Sequence, residues 1–258
     1  MNQALDTSKG SLVQRFLYWN KVASQQFDRL FGIPWVSIRN EERQVIESLL
    51  SPGAVVADVG GGKKPFFPSG DPRIHEYVGI DIDLDELQRA PTGSYDAISA
   101  CDISCPDVDL TGKFDLIICN NTLEHVLDAE QGIAGLQSML KPGGRCFLAV
   151  PCRLAPFALL NRWMPERLKQ LVLFSLIPEK RGDGFVAHYD KATPSGFRSI
   201  IESLGAKLFY EKRFYWSSYF TIFLPAYIVW RALTGLARLV SPDYCERFHM
   251  TFERSSDI

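Results

Sequence analysis

One stretch of this chain joins a carboxylate to bare glycine backbone at the end of an apolar run. Residues 55–59 are apolar except for Asp58 and predict a buried β-strand that leads into Gly60, Gly61 and Gly62. A second apolar run ends at Asp81. Glycines let a ligand approach the backbone, and a carboxylate at the next strand end accepts hydrogen bonds from ribose hydroxyls. These residues predict a pocket for a nucleoside.

The glycine turn differs from two common nucleotide-binding motifs. The dinucleotide fingerprint has glycine at its sixth position, which is Pro65 when counted from Gly60. The turn also lacks the Gly-Lys-Ser/Thr ending of a triphosphate-binding loop. Because a glycine turn alone is a weak signal, the assignment depends on the surrounding elements.

Alternating strands and helices must position these residues. Apolar runs at 95–103, 113–121 and 145–151 predict three further strands, and a helical stretch ends at Leu140. This alternation predicts a parallel sheet with helices on both faces, whose ligands sit at the carboxyl ends of the strands. Four polar residues fall at those ends: Asp58, Asp81, Asp102 and Asn120.

In its motifs the chain resembles the class I S-adenosylmethionine-dependent methyltransferases, strongly over residues 41–151 and weakly elsewhere. The resemblance implies a Rossmann-like α/β fold, with a seven-stranded, mostly parallel sheet, helices on both faces and an antiparallel last strand. It also implies an enzyme that uses S-adenosyl-L-methionine and no metal. The matching motifs are Asp58-Val59-Gly60-Gly61-Gly62, Gly79-Ile80-Asp81, Cys101-Asp102-Ile103, Phe114-Asp115-Leu116-Ile117, Leu123-Glu124-His125-Val126 and Leu140-Lys141-Pro142-Gly143-Gly144.

The resemblance implies which residues bind the cofactor. Asp58 orients the glycine turn or reaches the methionine amine, Asp81 holds the ribose hydroxyls, and Asp102 accepts from the adenine amino group. Asp102 as a turn residue is the alternative, and Asp83 is expected to cap the next helix. The remaining implied contacts are Gly60, Gly61, Gly62, Asn120 and Asn121 at the methionine end, and Ile82 and Ile103 as apolar walls.

Methyl transfer needs an aligned nucleophile and, in some cases, a base. The resemblance implies that the segment after the fifth strand builds the acceptor pocket, so we expect Tyr189 to contact the acceptor. His188 and His125 are the candidate catalytic bases. A loop histidine without a role is the alternative for His188, and a structural role is the alternative for His125.

The connection between the first two strands departs from the family pattern. Pro65, Pro68, Gly70 and Pro72 leave no room for a normal crossover helix, so an irregular loop or a single turn is expected. Lys63 and its neighbour Lys64 either assist at the methionine carboxylate or are merely solvated.

Composition limits the class of protein. The formal net charge of −2 over 258 residues suggests no nucleic-acid partner, and 46% hydrophobic residues suffice for a core. Six cysteines without Cys-x-x-Cys pairs, and a polar N-terminus, predict a reduced protein of the cytoplasm.

An uncharged segment spans the seventeen residues 214–230. That length reaches the lower limit of a membrane span, about 17 residues. Pro225 interrupts it, however, and a final strand at 249–253 must pair with the strand that ends near Phe214. We therefore expect this segment to lie on a membrane or on the protein rather than to cross a bilayer.

The residues after Pro225 form a helical pattern with one narrow polar stripe. Tyr227, Arg231, Thr234 and Arg238 recur at steps of four, three and four among apolar residues. This predicts an interfacial helix within 216–240 whose arginines reach lipid head groups. A lipid-binding groove, a dimer interface and an ordinary core helix are the alternatives.

Positive charge is concentrated near the apolar segments. The local balance is +4 over 153–181 and +3 over 212–247. An anionic membrane surface attracts such segments.

These observations divide the chain into four parts. Residues 1–40 are predicted to be a helical lid and 41–151 the cofactor-binding core. Residues 152–192 form an apolar and basic insertion on the acceptor side, and 193–258 complete the fold.

The predicted function is methylation, on oxygen, of a lipid-linked or membrane-associated acceptor: a glycan intermediate, a glycolipid or a quinone. The enzyme is expected in the cytoplasm, peripheral on the inner face of a membrane. A soluble dimeric small-molecule methyltransferase and a non-catalytic membrane adaptor on the same fold are the alternatives.

Overall fold

The computed structural model describes residues 11–31, 38–156, 158–159, 186–215 and 221–256. Most of the predicted insertion (160–185) lies outside the described residues, as do 216–220 of the predicted interfacial helix. Residues 1–10 and 32–37 of the predicted lid also lie outside them. The four-part division of the chain stays a prediction.

Seven strands form one sheet. Their bounds are β1 (Ala54–Val59), β2 (Ile74–Asp81), β3 (Ala97–Ala100), β4 (Phe114–Asn120), β5 (Leu140–Pro151), β6 (Lys207–Phe214) and β7 (Arg247–Glu253). The spatial order is β3-β2-β1-β4-β5-β7-β6. Neighbours among β1 to β5 are parallel, whereas β7 runs antiparallel to both β5 and β6. The predicted fold class, including the antiparallel last strand, is confirmed.

Helices cover both faces of the sheet. Their bounds are α1 (Leu12–Leu30), α2 (Ile38–Leu49), α3 (Leu84–Gln88), α4 (Ala129–Met139), α5 (Pro194–Ser203) and α6 (Leu224–Val240). Successive residues of a strand point to opposite faces, so Val56 and Ala57 of β1 enter two different cores. Ile46 of α2 packs in the core that contains Val56. Ile133 of α4 and Phe197 of α5 pack in the core that contains Ala57.

Local sequence explains where several elements begin. The Asp128 carboxylate accepts hydrogen bonds from the first-turn amides of α4, and the Thr193 hydroxyl caps α5, whose first residue is Pro194. Strand β5 starts at Leu140, five residues before its predicted start. Leu140 pairs with Phe114 before a register shift, which sequence periodicity does not reveal.

The connection between β1 and β2 contains no helix, as predicted. Aromatic side chains supply the core contacts in its place. Phe67 is buried, and its ring centroid lies 5.8 Å from that of Tyr77 on β2. Phe66 packs edge-on against Phe67, with ring centroids 5.0 Å apart.

Helix α6 has the predicted polar stripe, but the stripe faces the protein. Tyr227 and Thr234 are buried. The side chain of Arg231 is 13% exposed, and its Nε lies 3.5 Å from Oδ1 of Asp28 on α1. The expectation that Arg231 reaches lipid head groups is wrong, because Arg231 pairs with the buried Asp28 of α1, a helix far away in the sequence. Arg238 is exposed and lies over the Tyr215 ring, 4.2 Å from its centroid.

Candidate cofactor and acceptor site

The glycine turn after β1 is packed too closely to carry side chains. Gly60 has a φ of +71°, and a Cβ there would lie 2.0 Å from Oγ1 of Thr122. A Cβ on Gly61 would lie 2.5 Å from the carboxyl carbon of Asp58. Each contact is far shorter than van der Waals distance. The turn therefore presents bare backbone for reasons of packing as well as of ligand approach.

Asp58 fixes the crossover beneath this turn. Its Oδ2 accepts a hydrogen bond from the Phe66 amide at 2.9 Å and another from the Tyr77 hydroxyl. Burial raises the pKa of Asp58 to about 6, and the two hydrogen bonds oppose that rise. These contacts are those of a residue that orients the turn, which is one of its two predicted roles.

Asp81 lies at the carboxyl end of β2, beside the glycine turn. A Cβ on Gly62 would be 3.7 Å from Oδ2 of Asp81, so the bare turn and the carboxylate border the same space. Oδ1 of Asp81 accepts from the Asp83 amide at 3.0 Å, and burial raises the pKa of Asp81. Asp83 caps α3, as predicted. Glycine backbone next to a strand-end carboxylate fits the ribose of a nucleoside cofactor.

The residues predicted to surround adenine lie in different environments. Asp102 is exposed, and its Oδ1 accepts from the Ser104 amide at 2.8 Å, the contact of a turn residue. Ile82 is 65% exposed, whereas Ile103 is 6% exposed and lies against Gly132 of α4. Their adenine-binding roles stay predictions.

Asn120 and Asn121, at the end of β4, are held by two residues that the sequence did not single out. Nδ2 of Asn120 donates to Oε1 of Glu42 on α2. Nη2 of Arg247 donates to Oδ1 of Asn120 at 3.3 Å and to Oδ1 of Asn121. Glu42 and Arg247 are far apart in the chain, and no spacing links them to the motif at 120–121.

Glu124 joins the end of β4 to the predicted acceptor loop. Its carbonyl oxygen accepts from the amides of His188 at 2.7 Å and Tyr189 at 3.0 Å. Burial raises the pKa of its side chain to about 7, and Oε2 has no hydrogen-bond partner within the described ranges. Glu124 belongs to the motif at 123–126, but its burial depends on the loop that folds over it.

The two candidate histidines lie on either side of this contact. Nδ1 of His125 lies 3.0 Å from the Val186 carbonyl oxygen, and the side chain of His188 is exposed. Tyr189 has a φ of +53° and is 4% exposed, with its ring in the core. The loop at 186–190 thus contains His188 and contacts the side chain of His125. Their catalytic roles, and the contact of Tyr189 with the acceptor, stay predictions.

The described part of the chain contains no group of three or more His, Cys, Asp or Glu residues placed to hold a metal ion. The six cysteines are present as free thiols.

A family model described as a methyltransferase domain matches residues 37–184, which is more than half of the chain. The chain belongs to this family. Its glycine turn and Asp81 lie at the carboxyl ends of the strands, the edge at which open α/β sheets bind their ligands. The sequence-based predictions of the family, of an enzyme and of S-adenosylmethionine as its cofactor are confirmed.

Curated relatives match part of this chain in sequence. An uncharacterized methyltransferase from Mycobacterium sp. (strain KMS) is 33% identical over 109 residues, covering 41% of this chain and 42% of that protein. A ubiquinone biosynthesis O-methyltransferase from Chromobacterium violaceum is 32% identical over 113 residues, covering 42% of this chain and 49% of that protein. The chain thus spans about half the length of the curated relatives it matches.

Solved structures share the fold. An S-adenosylmethionine-dependent methyltransferase from Mesorhizobium loti superimposes with a TM-score of 0.53 at 17% identity, covering 83% of this chain and 97% of that one. An N-methyltransferase from Bradyrhizobium japonicum gives 0.51 at 16% identity, covering 85% and 98%. At such identities the likeness shows the fold and not the acceptor.

Proposed function

We propose that this chain transfers the methyl group of S-adenosylmethionine to an oxygen atom of a lipid-linked or apolar acceptor at a membrane surface. The observation that carries the proposal is the exposed apolar face of α6. Leu236 and Leu239 on that face are 60% and 85% exposed. Exposed apolar surface of this kind marks a binding site for a membrane, a protein or a ligand.

The position of α6 supports a link between this face and the proposed acceptor side of the enzyme. The helix connects the end of β6 to the start of β7, and Arg247 of β7 pairs with Pro151 at the carboxyl end of β5. Trp230 of α6 donates to Oε1 of Glu246 at 3.1 Å, and the Glu246 carbonyl accepts from the Cys152 amide at 3.1 Å. An apolar acceptor held at this edge therefore has a short path from a membrane.

The relatives support an oxygen acceptor. Relatives from Chromobacterium violaceum and Coxiella burnetii are described as ubiquinone biosynthesis O-methyltransferases. A quinone precursor with an isoprenoid tail is an acceptor of the proposed class. No helix within the described residues is both long enough and apolar enough to cross a bilayer.

The bound cofactor supplies an electrophilic methyl group on a sulfonium sulfur. In the proposed reaction the S–CH₃ bond breaks as the O–CH₃ bond forms, and the acceptor hydroxyl gives up its proton. The glycine turn and Asp81 bind and orient the cofactor. His188 and His125 are the candidates to accept the proton, because the unprotonated ring nitrogen of a neutral imidazole can act as a general base.

The first test is calorimetric titration of S-adenosylmethionine into the wild-type protein and Asp81→Ala. Hydrogen bonds to a charged group contribute about 1.5–3 kcal/mol, so we expect a Kd about 10- to 100-fold higher in the variant. Asp109→Ala, at an exposed carboxylate outside the site, is the matched control and should bind like the wild type. Equal binding by Asp81→Ala would contradict the role of the ribose acid.

The acceptor class is tested by supplying methyl-labelled S-adenosylmethionine with either a membrane-lipid extract or water-soluble metabolites of the same cells. We expect label to enter the lipid fraction as a methyl ether. Labelling confined to the water-soluble fraction would contradict a lipid-linked acceptor and would leave the methyltransferase assignment intact.

A further inference from the structure

Helix α1 exposes its apolar residues and buries polar ones. Leu12, Phe16 and Trp19 recur at steps of four and three, and Leu30 lies three turns beyond Trp19 on the same side. All four are exposed, with Trp19 at 59% and Leu30 at 83%. The fully buried residues of the helix are Ser24 and Asp28. This is the reverse of a surface helix of a water-soluble domain, which buries its apolar stripe.

Helix α6 has the same inverted polarity. Its buried residues are Tyr227, Trp230 and Thr234. The exposed apolar residues of α6 and the turn before it cover the opposite side: Ile222, Phe223, Ile228, Val229, Leu233, Leu236, Leu239 and Val240. Two helices of inverted polarity, far apart in the chain, therefore need a common explanation.

The two helices contact each other through their polar residues. Oδ1 of Asn20 accepts from the Leu224 amide at 2.9 Å, and the Tyr227 hydroxyl donates to Oδ2 of Asp28. Asp28 also pairs with Arg231 at 3.5 Å. This internal polar seam joins polar groups of the two helices, and the exposed apolar residues of both lie on their outer sides.

The charges around this surface favour one occupant. Asp28 is the only acidic residue of α1, and it is buried, while α6 contains no Asp or Glu. The exposed charged residues of the two helices are therefore all cations: Arg15, Lys21, Arg29 and Arg238. A second copy of this chain would bring like charges together across the interface. An anionic bilayer offers both an apolar interior and negative head groups.

We propose that α1 and α6 together form a docking surface for an anionic lipid bilayer, held in shape by the seam between Asp28, Tyr227 and Arg231. The proposal rests on the proposed function, because it places the acceptor edge of the sheet against the membrane that supplies the acceptor. It assigns to α1 a role in membrane contact that is separate from any role as a lid.

The experiment is sedimentation with vesicles of phosphatidylglycerol and phosphatidylcholine, or of phosphatidylcholine alone. The α1 variant is Phe16→Asp with Trp19→Asp, and the α6 variant is Leu236→Asp with Leu239→Asp. All four side chains are exposed, so the fold does not depend on them. The control, Ile98→Asp with Val108→Asp, adds the same charge at exposed apolar residues elsewhere.

We expect the wild type and the control to bind anionic vesicles equally, and each helix variant to bind about tenfold more weakly or worse. Vesicles of phosphatidylcholine alone should bind the wild type more weakly. Wild-type binding by the α1 variant would overturn the proposal. The proposal would also be overturned if the wild type did not bind vesicles and its mass doubled as its concentration was raised. A second copy of the chain would then cover the surface.

Calorimetry with S-adenosylmethionine in vesicle-free buffer separates the two proposals. Both helix variants should bind the cofactor like the wild type, because the substituted residues lie outside the cofactor site. Cofactor binding without vesicle binding would overturn the docking surface and leave the proposed function standing. Vesicle binding without cofactor binding would overturn the proposed function and leave the docking surface standing.

Discussion

At the scale of single residues, burial decides the chemistry of several carboxyl groups. Burial raises the pKa values of Glu124 and Glu246 to about 7 and that of Asp58 to about 6. The groups differ in their partners. Asp58 and Glu246 accept hydrogen bonds from neighbouring side chains, whereas Oε2 of Glu124 accepts none from the described residues. A protonated carboxyl is the less costly form in such places.

The raised pKa of Glu246 makes stability depend on pH. Between its ordinary pKa of 4.5 and about 7, the folded protein holds a proton that the unfolded chain releases. This contribution to stability is therefore fully present below pH 4.5 and is lost as pH rises through 7. Relative to Glu246→Gln, which stays neutral, the wild type should lose about 3 kcal/mol of unfolding free energy over that range.

Urea unfolding of the wild type and Glu246→Gln at a series of pH values measures this difference. Glu202→Gln, at an exposed glutamate of α5, is the control, and its difference from the wild type should not vary with pH. A constant difference for Glu246→Gln across the range would show that the pKa of Glu246 is the same in the folded and the unfolded protein.

At the scale of elements, the contact between α1 and α6 depends on a buried ion pair. Asp28 is fully buried and Arg231 nearly so. Removing one partner leaves an uncompensated buried charge, which costs about 3–5 kcal/mol, whereas replacing both by apolar residues is close to neutral. We therefore expect Asp28→Ala to lower the unfolding free energy by about 3 kcal/mol or more.

The paired change Asp28→Leu with Arg231→Met should recover most of that loss. Denaturant unfolding gives the free energies, and hydrogen exchange of the α1 and α6 amides shows whether the effect is confined to these helices. If Asp28→Ala unfolds like the wild type, the seam does not hold the two helices together.

A second element shows how a departure from the family pattern is accommodated. The crossover between β1 and β2 contains prolines where a helix is expected, yet its Phe66 amide reaches Asp58 and its Phe67 ring fills the core. The loop thus supplies both the polar and the apolar contacts beneath the glycine turn.

At the scale of the whole molecule, the carboxyl edge of the sheet gathers the predicted cofactor residues, the loop at 186–190 and the start of β7, the strand that follows α6. The proposed membrane surface adjoins this edge and carries exposed cations. Salt shortens the range of their attraction, to about 3 Å at 1 M against about 10 Å at 0.1 M. Binding to anionic vesicles should therefore weaken about tenfold or more over this range.

Turnover provides the measurement. Methylation of an acceptor embedded in anionic vesicles should fall with salt, whereas methylation of a short-chain, water-soluble analogue should not. An equal salt response for both acceptors would assign the effect to the active site and not to docking.

The sequence alone determined the core of the fold and the edge of the sheet at which the predicted cofactor residues meet. Asp58, Asp81 and Asn120 end apolar runs, and parallel strands bring their carboxyl ends to one edge whatever the details of packing. The irregular crossover was predictable for a similar reason, because proline restricts the backbone locally.

Only the tertiary structure decided which long-range partners those residues meet. The spacing of Tyr227, Arg231 and Thr234 predicted a polar stripe, but its direction depended on Asp28, some two hundred residues earlier in the chain. Likewise, Arg247 and Glu42 hold Asn120, and the loop at 186–190 buries Glu124. Periodicity reports which residues share a face. Burial and pairing depend on what folds against that face, and that is set by the whole chain.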